Sequence, residues 1–231
     1  RDRVLGVTLV TGYGEVVVGG GQLVKNVTGY DLPRLVTGSH GALGIIVEVV
    51  LKLWPAQPSS ATVEVPDGAS ALASAYRPLA VLETDHGCLV MLEGSEATVA
   101  HQAEAMGGQV REGLSWPDQI DAPIVASIRV PPRHIARAVD LVRGLGASRW
   151  VAQHGVGRID LGFDTLAPDD LGSLRQHVSA VGGFLVIDRH PDLESIDRWG
   201  STPAGLGIQQ RLKELFDPDR VLNPGVLPGG I

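Results

Sequence analysis

Between Lys25 and Ile46 the chain reads KNVTGYDLPRLVTGSHGALGII, with glycines at 29, 38, 41 and 44 around one short helical signal. Glycines this dense constrain a fold strongly, because they admit positive φ and let backbone approach a neighbour without a side chain intervening. Asp31 is placed to cap a short helix whose first turn contains Pro33, where a missing amide does little harm. Gly38 ends that helix, and Gly41 and Gly44 follow at intervals of three. Two readings fit the spacing: backbone laid against a ligand, or a tight buried connection from helix to strand.

The stretch runs directly into a strand. Ile45, Val47, Val49, Leu51 and Leu53 alternate with Ile46, Glu48, Val50 and Lys52. That period of two predicts a strand buried on one face and mixed on the other. Upstream, the apolar Val4–Val10 run, the Gly12-Tyr13-Gly14 turn and Glu15 to Val18 read as a hairpin. Downstream, Trp54-Pro55-Ala56-Gln57-Pro58 stops the chain and marks a boundary.

Past that boundary short strands alternate with helices. Strands are predicted at 61–66, 79–84, 87–93, 123–130, 148–154, 157–164 and 183–188, and helices at 68–77, 95–106, 132–144 and 168–181. Gly94-Ser95 and Pro168-Asp169-Asp170 supply polar or acidic helix starts. Val63-Glu64-Val65-Pro66 is echoed by Ile128-Arg129-Val130-Pro131, and Ala105-Met106-Gly107-Gly108 by Ala180-Val181-Gly182-Gly183. Each instance opens a strand-helix-strand-strand-helix-strand set, so the expected fold class is α+β with two ferredoxin-like βαββαβ halves. In the tail, Ser201-Thr202-Pro203 reads as a helix start. Ile208, Leu212, Leu215 and Phe216 mark one face of that helix, and Asp217-Pro218 ends it. The expected domains are 1–57, 58–188 and 189–231, the last returning to the first.

A formal charge of −7 and the absence of basic clusters argue against a nucleic-acid footprint or attraction to acidic lipid. No apolar run is long enough to span a bilayer, so direct membrane insertion is not expected. The single Cys88 cannot form an internal disulfide, and within Cys88-Leu-Val-Met-Leu92 it reads as core. The chain begins with Arg1 and moves at once into a strand signal, so it reads as the later part of a longer polypeptide.

Familiar chemistries fail on their own geometry. Gly12-Tyr13-Gly14 precedes a strand, and Gly38, Gly41 and Gly44 have the wrong spacing for a dinucleotide fingerprint. Thr37-Gly38-Ser39-His40-Gly41 lacks the first glycine and following helix of a hydrolase elbow. The seven histidines are scattered, with His101 and His177 read as solvated helix-face residues. Asp217 and Asp219 read as turn and capping residues. No catalytic residue is assigned.

The opening run RDRVLGVTLVTGYGEVVVGGGQLVKNVTGYDLPRLVTGSHGALGIIVEVVLKLWP resembles the later half of the PCMH-type FAD-binding domain in vanillyl-alcohol-oxidase-type flavoproteins. Within them, KNVTGYDLPRL most resembles the glycolate oxidase E-subunit family. RLKELFDPDRVLNPG, with Trp199-Gly200 before it, is similar to the family's closing motif. The resemblance implies FAD as cofactor and the duplicated middle as the family's cap domain. It implies a flavin site at Tyr30, Asp31, Gly38, Ser39, Gly41, Gly44, Ile45 and Ile46, edged by Lys25, Asn26, Thr28 and Gly29, with Asn223 returning towards the flavin ring. Tyr30 reads alternatively as core packing and Asn223 as a turn residue.

By the same resemblance the expected function is the FAD-binding subunit of a glycolate oxidase complex. Its partners would be a catalytic flavin subunit and an iron-sulfur subunit, and its substrate a small 2-hydroxy acid. The location implied is cytoplasmic, with attachment to the inner membrane through partners. Alternatives are a self-sufficient FAD-linked oxidoreductase of another 2-hydroxy acid such as D-lactate, or a flavin-free structural subunit. In such proteins an upstream glycine loop holds the FAD pyrophosphate, so this chain alone is expected to bind FAD weakly or not at all. The catalytic subunit's metal motif, His-Ala-Gly-Asp-Gly-Asn-x-His, is here Gln153-His154-Gly155-Val156-Gly157-Arg158-Ile159-Asp160. Both histidine positions are altered, so no metal is expected. His154 is left with either a place near the flavin or a structural role.

Overall fold

The computed structural model describes residues 2–23, 29–193, 195–200 and 202–231. Two compact units emerge, Arg1–Pro55 with Ser201–Ile231, and Ala56–Gly200. The chain is α+β, and among the described residues its two sheets are both antiparallel.

The first unit holds strands β1 (Val4–Val10), β2 (Val16–Gly20) and β3 (Ile45–Leu51) in the order β2-β1-β3. Helix α1 (Leu32–Val36) starts as the residues dictate: the Asp31 carboxylate accepts from Arg34 N at 3.1 Å, and Pro33 lies in the first turn. Val7, Leu9 and Val36 form a small core. The expectation for β3 is corrected here. All of its residues except Val50 are exposed, Ile45 and Val47 by more than half, because β3 is an edge strand and this unit's core gathers around β1. Period two establishes that a strand has an apolar face; it does not supply what covers it.

The second unit holds β4 (Ser59–Val65), α2 (Gly68–Ser74), β5 (Ala80–Thr84), β6 (Gly87–Gly94), α3 (Glu96–Met106) and β7 (Gln109–Glu112). It then repeats the order with β8 (Ile124–Arg129), α4 (Ile135–Arg143), β9 (Arg149–Gln153), β10 (Arg158–Phe163), α5 (Pro168–Ala180) and β11 (Phe184–Arg189). The eight strands lie in the order β11-β8-β10-β9-β5-β6-β4-β7, so each set is arranged 4-1-3-2 and the two meet where β5 pairs with β9. Alternate strand residues bury against helices. In the first set Ala61, Val63, Val90 and Leu92 cluster with Ala71, Val99 and Ala103. In the second, Ile124, Ala126 and Ile128 cluster with Ala138, Val142, Leu174 and Val178.

Helix α3 begins at Ser95, whose hydroxyl accepts from Thr98 N at 3.2 Å, and ends at Gly107 in the left-handed region (φ 63°). Strand β7, missing from the predicted strands, is a fully exposed edge whose Gln-Val-Arg-Glu sequence carries no apolar alternation. The last helix, α6 (Leu206–Phe216) in the first unit, starts later than the Ser201-Thr202-Pro203 signal, and Ser201 lies outside the described residues. Its expected apolar face is half borne out. Leu212 and Phe216 are half-buried, Phe216 against the small core, whereas Ile208 and Leu215 are exposed and the fully buried residue is Lys213.

Candidate functional site

Within the first unit, the segment after α1 and the turn after α6 lie against one another and together line a cleft of about 740 Å³. Gly38, Ser39, Gly41, Gly44, Ile45, Ile46 and Asn223 all line it, together with apolar side chains that include Val7, Val36 and Val49. A volume of this size is ordinary for a cofactor or small-ligand site. Three glycines there do different work. Gly38 has φ 85° and open space where a side chain would stand. Gly41 has φ 75°, and a Cβ on it would come within 2.8 Å of Asn223 Nδ2. At Gly44 a Cβ would collide with Leu9 Cδ1, so that glycine serves the packing of the loop on β1.

Asn223 donates from Nδ2 to His40 O at 2.6 Å and itself has φ 38°. Behind it lies a buried ionic network. Lys213 Nζ donates to Ala42 O at 3.0 Å, Leu222 O at 2.5 Å and Asp217 Oδ2 at 2.6 Å. Asp217 also accepts from Val221 N at 3.0 Å and Leu222 N at 2.8 Å. Burial pushes the Asp217 carboxyl up, but the Lys213 ammonium and the two amides outweigh it and hold the pKa below the ordinary 3.8. Gly12 makes room for this carboxylate, since a Cβ there would collide with Asp217 Oδ1. Asp217 does close its helix, as its sequence context implies, but its carboxylate is wholly buried. Nothing in the spacing singled out Lys213. The available signal was its i,i+4 relation to Asp217 at the end of a helix.

The remaining expected site residues that the structure describes lie elsewhere. Tyr30 is 93% exposed, which overturns its core-packing reading, and it does not line the cleft. Asp31 spends its carboxylate on the α1 cap and on Arg34. Gly29 has φ 81° and is also outside the cleft lining. Lys25, Asn26 and Thr28 lie outside the described residues.

In the second unit His154 is buried, with Nε2 donating to Glu83 Oε2 at 2.6 Å, while Arg143 donates to Glu83 Oε1 at 2.5 Å. His154 Nδ1 has no partner among the described residues. Cys88 is buried nearby in the strand beside Glu83, and burial first, then the Glu83 and Asp67 charges, push its thiol up to about 12. A thiol so reluctant to ionise is a poor nucleophile. Among the described residues no group of three or more His, Cys, Asp or Glu side chains is arranged to hold a metal ion, and no helix is long and apolar enough to cross a membrane.

Fold and cleft together define an α+β protein with a glycine-lined, partly apolar cleft. No protein-family model matches the chain. It is similar to the glycolate oxidase subunit GlcE of Escherichia coli, 28% identical over 97% of this chain and 65% of the relative. It is also similar to an uncharacterized FAD-linked oxidoreductase of Mycobacterium tuberculosis, 26% identical over 99% of this chain and 65% of the relative. A shorter stretch, 24% of this chain and 12% of the relative, is 49% identical to the glycolate oxidase subunit GlcD of Bacillus subtilis. Along nearly its whole length the chain is thus similar to a glycolate oxidase subunit and to an FAD-linked oxidoreductase. The chain spans 65% of the length of the first and second of these relatives.

Proposed function

We propose that this chain belongs to the FAD-binding subunit of a glycolate oxidase complex and contributes to oxidation of glycolate to glyoxylate. The observation that carries the reading is the cleft itself, where the glycine segment and Asn223, far apart in sequence, line one surface. Similarity to GlcE along nearly the whole chain supports it. The residues fit a flavin: Gly38 leaves its backbone edge open, and Ile45, Ile46 and Val49 offer an apolar wall to a flat ring. In this reading Gly38, Ser39, Gly41 and Gly44 let backbone approach the cofactor, and Asn223, hydrogen-bonded to His40 O, lines the cleft beside them. Lys25, Asn26, Thr28, Gly29, Tyr30 and Asp31 would edge the site. When bound, the flavin supplies a two-electron acceptor for the hydride leaving the hydroxyl-bearing carbon.

The 4-1-3-2 order of each half of the second unit supports a duplicated ferredoxin-like cap, and the first unit is read as part of a PCMH-type flavin domain. A catalytic flavin subunit and an iron-sulfur subunit are the proposed partners. Protein expressed from its complete gene and purified with those partners should carry flavin, and glycolate should bleach its visible absorption band. A folded complex in which this subunit holds no flavin would sink the proposal. Bleaching by D-lactate but not glycolate would transfer it to another 2-hydroxy acid.

A further inference from the structure

The geometry points to Lys213 as a positioning residue that holds together the two segments lining the cleft. Its ammonium holds Ala42 O, within the 38–44 segment, and Leu222 O, next to Asn223, at the same time. The third hydrogen bond goes to Asp217 Oδ2, and Asp217 in turn fixes the amides of Val221 and Leu222. All three ammonium protons therefore have acceptors, which leaves the side chain little freedom. Lys213 does not line the cleft, so its influence on a ligand passes through backbone it holds in place. That the ligand is FAD rests on the function proposed above. The strut itself does not.

The test uses protein from the complete gene, with Lys213→Met and, to avoid stranding a buried carboxylate, the double variant Lys213→Met/Asp217→Asn. Hydrogen exchange without added flavin should accelerate together at 38–44 and 221–226, while the amides joining β1 to β2 keep their wild-type protection. FAD affinity should fall on the order of ten-fold, as when supporting contacts of a binding site are removed, and the visible flavin band should shift. Val17→Ala, packed against the small core and away from the cleft lining, serves as a stability control with unchanged flavin affinity. Wild-type exchange at both segments in the double variant would overturn the strut. Loosened segments with wild-type flavin affinity and spectrum would overturn its positioning role. If wild-type protein binds no flavin while the coupled exchange is seen, the flavin reading fails and the strut stands.

Discussion

Both units bury charge, and they complete it in different ways. In the first, Lys213 and Asp217 satisfy one another and three backbone groups of the 221–222 turn, as well as the carbonyl of Ala42. In the second, Glu83 is bracketed by His154 and Arg143, yet His154 Nδ1 has no partner among the described residues and the Arg143 side chain is 56% exposed. The first network is closed and ties together segments distant in sequence. The second is open at one end to water. A buried ion pair is a poor guide to net stability, but losing one member of a closed network leaves an uncompensated charge. The closed cluster should therefore be the less forgiving of change.

Unfolding in urea measures that difference. Lys213→Met alone should cost about 3–5 kcal/mol, the scale for stranding a buried partner; a loss no larger than that of a surface substitution would break the comparison. Glu83→Gln should cost less, about 1–2 kcal/mol, because it weakens charge-assisted hydrogen bonds while leaving a polar group in place. It should leave flavin affinity unchanged, and a loss of affinity would mean that the second cluster also serves the ligand.

The smallest effect is on pH dependence. Asp217 binds its proton less readily folded than unfolded, so its stabilisation is complete above the ordinary 3.8 and is lost as pH falls through the lower folded value. Urea midpoints measured down the acid limb should fall less steeply for Asp217→Asn than for wild type. Parallel acid limbs would show that this carboxylate does not titrate with unfolding.

Much of the second unit was legible because repeated alternation leaves a strong trace. Ile124 and Ile128 in β8, and Ile159, Leu161 and Phe163 in β10, fall on the helix-covered face as their spacing requires. The edge strand β7 was not legible, since an exposed strand has no apolar face to mark it. In the site, Gly38, Gly41 and Gly44 stood out through density, and Asn223 only through resemblance to a closing motif. Lys213 was hidden by its type: a lysine near a helix end ordinarily reads as solvated.

From the residues alone came the α+β class, the repeated order of the middle and the glycine segment as a place of close backbone approach. Tertiary structure decided that Gly38, Gly41 and Gly44 line one cleft, Gly44 while also packed on β1, and that Lys213 rather than Ile208 turns inward on α6. It also left the apolar residues of β3 other than Val50 exposed. The physical reason is the same in each case. Periodicity and propensity are properties of neighbouring residues, whereas burial and hydrogen-bond completion depend on partners that here lie as far away in sequence as Ala42 from Lys213.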